Sequence, residues 1–149
     1  MLALAKQRCG GASLSWVLDD ARTATLNRRF DLVLLTGHAF QVFLTPDDQA
    51  AALTTIATHF ALNGCFTFDA RAPEVWKTWT RDQSQRIVEH PRIGPGRGWN
   101  DVSQGPASGV VTYRTYYQIV ADGPVHSSQS QIAFRSREQL PLLVYVSES

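Results

Sequence analysis

Cysteine is scarce: the 149 residues hold two, Cys9 and Cys65, with no C-x-x-C spacing and no paired histidines beside them. That excludes a disulfide framework and a cysteine-based metal centre, and describes two free thiols suited to a reducing cytoplasm. Long apolar runs are missing as well. Nothing approaches the ~20 consecutive apolar residues a membrane-spanning helix needs. The opening MLALAKQR puts its positive charges after a short apolar stretch, the reverse of a secretion signal. Charge of one sign is also lacking. With 14 basic and 13 acidic residues the net charge is +1, too little to grip a phosphate backbone, which sets nucleic acid aside as a partner. No G-x-S-x-G elbow is present, so a serine hydrolase is disfavoured. Internal repeats and low-complexity tracts are absent.

What remains is ordinary for one globular domain. The apolar fraction is 44%, and a chain of this size buries roughly 70% of its unfolded surface. Residues 1 to 8 read as the last turns of a helix stopped by Gly10-Gly11. SLSWVLDDA alternates Leu14, Trp16 and Leu18 as a strand does. FDLVLLTG is apolar on both faces over Leu32 to Leu35, the pattern of a parallel strand covered on both sides. In TPDDQAAALTTIATHFALNG, Thr45 caps a helix, Pro46 suits its first position, and Asp47 and Asp48 suit its positive end. Leu53, Ile56, Ala57 and Phe60 recur at helical spacing, and Asn63-Gly64 marks the expected end. CFTFDA is then a second buried strand. Strand, helix and strand make a βαβ crossover.

After Pro73 the pattern changes. Residues 75–107 mix three tryptophans, prolines and charges, and predict an irregular excursion. Over residues 108–135 the alternating GVVTYRTYYQIV, a turn at Asp122-Gly123 and VHSSQSQIAF predict an antiparallel hairpin. In the closing stretch, 136–149, RSREQL starts a helix that Pro141 interrupts, and LLVYVSES suggests a short last strand. The whole reads as a single domain, with an α/β core over residues 1–74.

Open parallel sheets bind ligands at the carboxyl ends of their strands. The expected strand ends carry Asp19-Asp20-Ala21, Thr36 to Gln41, and Asp69-Ala70-Arg71. Asp20 accepts hydrogen bonds from an amino group such as that of adenine, or is simply a solvated acid. Gly37 suits a close approach or a positive φ. His38 titrates near neutrality and is a candidate base, or it satisfies loop backbone. Phe40 stacks on a ligand or lids the core. Asp69 and Arg71 orient a substrate or pair with neighbours. The G-x-G-x-G spelling in IGPGRGWN follows no strand and opens no helix, so it predicts a loop rather than a phosphate cradle. The tryptophans read as core or interface filling.

Together MLALAKQR, VLDDAR, FDLVLLTGHAFQVFLTPDDQAAALTTIATHFALNGCFTFDAR and the late hairpin resemble class I S-adenosylmethionine-dependent methyltransferases. The similarity is to small bacterial members with a β-rich insertion after the fifth strand. It runs from residue 1 to about residue 140 and is strongest over 14–74. The resemblance implies a partial Rossmann-like α/β sheet with a βαβ crossover plus an antiparallel β-hairpin excursion, S-adenosyl-L-methionine as cofactor, and a small-molecule methyl acceptor. It places Asp20 and Ala21 against the adenine, and Thr36, Gly37 and His38 beside the donor. Phe40 and Gln41 fall nearby, and Asp69 and Arg71 towards the acceptor. No metal is implied. Methyl transfer depends chiefly on alignment, so no triad is required.

The resemblance also implies a deficit. The family's first strand, glycine-rich loop, helix and acid-ended second strand have no counterpart, which predicts a truncated chain unable to bind cofactor alone. Those two strands belong between LSWVL and FDLVLL, so their absence bares strand edges. The expectation is re-pairing, a complementing chain or a fragment. The alternative is a non-enzymatic, homodimeric interaction module built on the tyrosine-rich hairpin.

Overall fold

The computed structural model describes residues 2–90, 94–104, 108–119, 123–136 and 139. The strand expected over LLVYVSES and the interruption at Pro141 lie outside the described residues, as does most of the turn before Gly123.

A short helix α1 (Leu2–Lys6) opens the described chain and gives way to a turn in which Gly10 has φ 76°. The strand expected over SLSWVLDDA does not form: residues 15–20 have no regular structure and no ladder partner. A strand exists through its neighbour's hydrogen bonds, and no neighbour stands beside this segment among the described residues. Trp16 instead donates its indole N–H to the Gly11 carbonyl at 2.7 Å.

The crossover forms as the pattern requires. β1 (Phe30–Leu35) runs parallel to β2 (Phe60–Phe68), joined through α2 (Pro46–Thr58). Thr45 caps α2 by accepting the Asp48 N–H at 3.1 Å, and Ala52 and Leu53 are buried on its inner face. The helix stops at Thr58, short of the expected Asn63-Gly64, because His59 takes over the backbone. Its Nδ1 lies 2.6 Å from the Thr55 carbonyl, its Nε2 accepts the Leu26 N–H, and its own carbonyl accepts the Phe30 N–H at 2.8 Å. Asn63, at φ 64°, and Gly64 instead make a bulge inside β2, where the register jumps from Phe30↔Phe60 to Leu32↔Cys65.

Coverage of this sheet is one-sided. Phe66 and Phe68 stack on each other, and Phe40 packs on Phe68 with ring centroids 5.0 Å apart. Leu32 and Leu34, expected under a second layer, are 55% and 56% exposed.

The second sheet is antiparallel, in the order β3 (Arg86–His90), β4 (Gly94–Gln104), β5 (Val110–Gln118), β6 (Val125–Ala133). The β5–β6 hairpin is the expected one. β3 and β4 arise where the pattern predicted irregular chain, preceded by one turn of helix, α3 (Arg81–Ser84). The glycine-rich IGPGRGWN, read as a loop, lies largely in β4. A Cβ at Gly96 would sit 3.0 Å from the Gln118 carbonyl, so glycine there admits the neighbouring backbone. Val111, Ile132 and Phe134 form the buried cluster, with Val75, Trp76, Trp79, Val102 and Tyr113 packed against it.

Candidate functional site

The carboxyl ends of β1 and β2 meet in one mouth. Beyond Leu35 the chain turns sharply: Gly37 and His38 both adopt left-handed backbone, at φ 69° and 59°. A non-glycine residue in that region is strained and needs holding. Asp69, the first residue after β2, holds it. The Asp69 carboxylate accepts the His38 backbone N–H at 3.2 Å and stands 2.7 Å from the His38 Nδ1. That nitrogen is sealed from solvent, and the carboxylate approaches it off the line of a hydrogen bond. The ring as a whole stays 32% exposed.

His38 leads into a 3-10 turn over Ala39–Val42 that buries Phe40 and Gln41. Phe40 is core, set edge-on to Phe43 and tilted on Phe68. Gln41 is a joint: its Oε1 accepts the Arg71 N–H at 3.0 Å, and its Nε2 donates to the Ala133 carbonyl at 3.2 Å. One amide thus ties the mouth to the segment after β2 and to the end of β6. The Arg71 guanidinium lies over the Trp79 ring, 5.2 Å from its centroid.

Asp20 stands apart from this group. Its carboxylate takes the Arg22 guanidinium on both oxygens, and Arg22 reaches on to Asp48 at 2.5 Å. The hydrogen bonds from Arg22 hold the Asp20 carboxyl down to about 2 and lower that of Asp48. Ala21 and Thr36 are exposed. The structure therefore brings together His38 with Asp69 and Gln41 with Arg71, while Asp20 contacts the start of α2 rather than the Thr36–His38 turn.

Sequence reasoning missed a second joint. Gln49, fully buried on α2, donates to the Phe43 carbonyl at 2.8 Å and accepts from Arg135 Nε at 3.2 Å. Arg135 also donates to the carbonyls of Leu44 and Ser108. One signal was available: Gln49, Ala52, Leu53 and Ile56 share the apolar stripe of α2, and a polar residue on a buried stripe demands a partner. Its identity, 86 residues away, was not legible.

Four surface hollows have volumes between about 210 and about 500 Å³. They lie on the antiparallel sheet or beside His59, and Asp20, Thr36, Gly37 and His38 line none of them.

No protein-family model matches the sequence, and no curated protein matches it. Solved structures do share the architecture. The CcbJ methyltransferase from Streptomyces caelestis superposes with a TM-score of 0.75 over 97% of this chain, at 13% identity. An S-adenosylmethionine-dependent methyltransferase from Clostridium acetobutylicum matches over 89% of the chain at 11% identity, with a TM-score of 0.70. CalS10, an amino pentose methyltransferase from Micromonospora echinaspora solved with S-adenosylmethionine bound, matches over 87% at 17% identity, also at 0.70. The fold is that of class I S-adenosylmethionine-dependent methyltransferases. The chain spans only 57%, 52% and 54% of those three proteins, about half the length of each.

The methyl donor implied by the methyltransferase fold can be set against the residues present. Asp20 offers an acceptor for an adenine amino group, and the left-handed Gly37-His38 turn lies at the strand end. Yet no cavity described joins them, and Asp20 is committed to Arg22 and Asp48. The described residues do not fit the donor as a closed site.

Proposed function

We propose that this chain is the acceptor-side half of an S-adenosylmethionine-dependent methyltransferase acting on a small molecule, and that it does not hold the donor firmly by itself. One observation carries the reading: the sharp Gly37-His38 turn, pinned by Asp69, sits at the carboxyl ends of the two parallel strands of this fold. CalS10 and the sugar N-methyltransferase KedS8 are named as acting on sugars, which supports a small, hydroxylated or amino-bearing acceptor here.

In this reading Asp20, once released from Arg22, and Ala21 would meet the adenine, and Thr36 and Gly37 would give the donor close backbone approach. His38 is the group nearest the acceptor. With Nδ1 turned to Asp69, its Nε2 is left to accept a proton from the acceptor's amine or hydroxyl. Asp69 pins the His38 backbone through its N–H. Phe40 and Gln41 shape the mouth from beneath, and Arg71, braced on Trp79, borders the acceptor side. No step through the donor follows from these residues alone. Two exposed thiols suit a reducing, cytoplasmic setting, and no described helix is long and apolar enough to cross a membrane.

Titration with S-adenosylhomocysteine, followed by amide NMR, tests the proposal. The expected result is weak binding, on the order of millimolar, with shifts concentrated at Gly37, His38 and Asp20–Arg22. Micromolar binding by this chain alone would refute the incomplete donor site. Saturating ligand that leaves those amides unmoved would end the methyltransferase reading.

A further inference from the structure

One histidine outside the mouth commits both ring nitrogens to backbone. His59 lies between α2 and β2, at the amino ends of the parallel strands. Its Nδ1 is 2.6 Å from the Thr55 carbonyl. A carbonyl only accepts, so Nδ1 carries the hydrogen. The Thr58 hydroxyl, 3.3 Å from the same nitrogen, donates its own hydrogen to that carbonyl and does not compete. Nε2 faces the Leu26 backbone N–H at 3.0 Å. That group only donates, so Nε2 carries no hydrogen. The two contacts therefore select one neutral tautomer. Leu26 and Phe30 both end on this residue, the first on its ring and the second on its carbonyl at 2.8 Å. Between them Asn27 has left-handed backbone, at φ 47°. A non-glycine residue holds that conformation only while its surroundings impose it.

We infer that His59 is a proton-operated latch. Neutral, it fastens the segment leading into β1; protonated, it lets go of Leu26 and of the strained turn at Asn27. A proton at Nε2 would set one N–H against another, and no anion among the described residues answers the new charge. The hollow of about 500 Å³ beside the ring is lined by Arg28 and Arg29, with Thr25, Asn27 and Thr58, and by no carboxylate. On α2 the ring meets the Thr55 carbonyl and Thr58, while the acids of that helix, Asp47 and Asp48, stand at its far end. β2 begins beside it with the uncharged Phe60. The start of the segment is tied by other groups. The Arg22 carbonyl accepts the Thr55 hydroxyl at 2.7 Å, and the Arg22 guanidinium pairs with Asp20 and Asp48. Those hydrogen bonds lower both carboxyls, Asp20 to about 2, so the pair stays ionised between about pH 8 and about pH 5. Imidazole is the side chain whose charge ordinarily changes in that range. The release is therefore local, confined to the stretch between Arg22 and Phe30. It acts at the end of the sheet away from His38 and is independent of the methyltransferase reading.

Nitrogen-15 NMR of the whole chain tests the latch. At about pH 8 a long-range proton–nitrogen spectrum is expected to show the His59 hydrogen on Nδ1. Between about pH 8 and about pH 5 the protection of the Leu26 amide, corrected for the intrinsic exchange rate, is expected to fall about tenfold. The fall should track the His59 ring signals, while the amides of β5 keep their protection. His59→Gln puts an amide oxygen, which does not take up a proton in this range, where Nε2 stood. Leu26 protection in that variant is expected to be the same at both pH values, whatever its level. A hydrogen on Nε2 at about pH 8 overturns the proposal. So does Leu26 protection that stays constant while the ring charges, or a response that survives in His59→Gln. An equal fall across β5 overturns it as well, because the acid effect is then global rather than a release at one residue.

Discussion

Two kinds of polar residue matter most at the scale of single side chains. The first is the exposed trio Asp20, Arg22 and Asp48. The Asp20 carboxyl is held at about 2 against an ordinary 3.8. A depressed carboxyl stays ionised in the folded chain while its unfolded counterpart takes up a proton. Its contribution is therefore complete above about pH 4 and is lost as the pH falls towards about 2. Arg22→Leu is expected to return the Asp20 carboxyl to the ordinary range by carbon-detected NMR titration. The stability difference from wild type should be small because the trio is solvent-screened, and should vanish at the acid end of that window, where the carboxyls are protonated folded and unfolded alike. The second kind is the buried amide. Gln49→Leu removes the acceptor of the Arg135 Nε–H and the donor to the Phe43 carbonyl, and leaving such groups unpaired costs about 1–3 kcal/mol. Urea denaturation is expected to show a loss of that size with little change in slope.

Caps and bulges decide boundaries at the scale of elements. Thr45 fixes the start of α2 through the Asp48 N–H, and Thr45→Ala is expected to cost about 1 kcal/mol in the same assay. Gly64 fixes the shape of β2. A Cβ there would lie 2.8 Å from the Phe30 carbonyl and 3.1 Å from that of Ala61, both rigid backbone atoms. Gly64→Ala is expected to force the bulge open and to lower the melting temperature by several degrees, on the order of 1–3 kcal/mol. Hydrogen exchange should quicken at Phe30 and Leu32 in that variant and remain unchanged in β5. The elements also show where local pattern was enough. The cap, the proline and the two acids specified α2 by chemistry that acts within a single turn. For SLSWVLDDA the alternation was present but a pairing strand was not, among the described residues.

At the scale of the whole molecule, the described residues form two sheets tied together by buried polar contacts. Gln41 ties the mouth to Ala133, and Gln49 with Arg135 ties α2 to the chain after β6. The aromatic cluster of the antiparallel sheet is separate from the one on β2. A Gln41→Leu, Arg135→Leu double variant is therefore expected to uncouple the halves. Tryptophan fluorescence, reporting mainly on Trp76, Trp79 and Trp99, and far-ultraviolet circular dichroism should then give non-coincident unfolding curves where the wild type gives one. Coincident curves in the double variant would mean that other contacts carry the cooperativity.

The sequence by itself determined the crossover and the late hairpin, because each rests on short-range signals: caps, turn residues, and periods of two or 3.6. Only the tertiary structure decided that His38 faces Asp69, that Gln41 meets Arg71 and Ala133, and that a glycine-rich stretch becomes a strand. The first two depend on partners 30 to 92 residues distant, as with Arg71 and Ala133 for Gln41, and the third on the strands that flank the stretch on either side. A side chain's own neighbourhood in sequence carries no record of which distant backbone group will be left without a hydrogen bond, and the fold must satisfy that group wherever it falls.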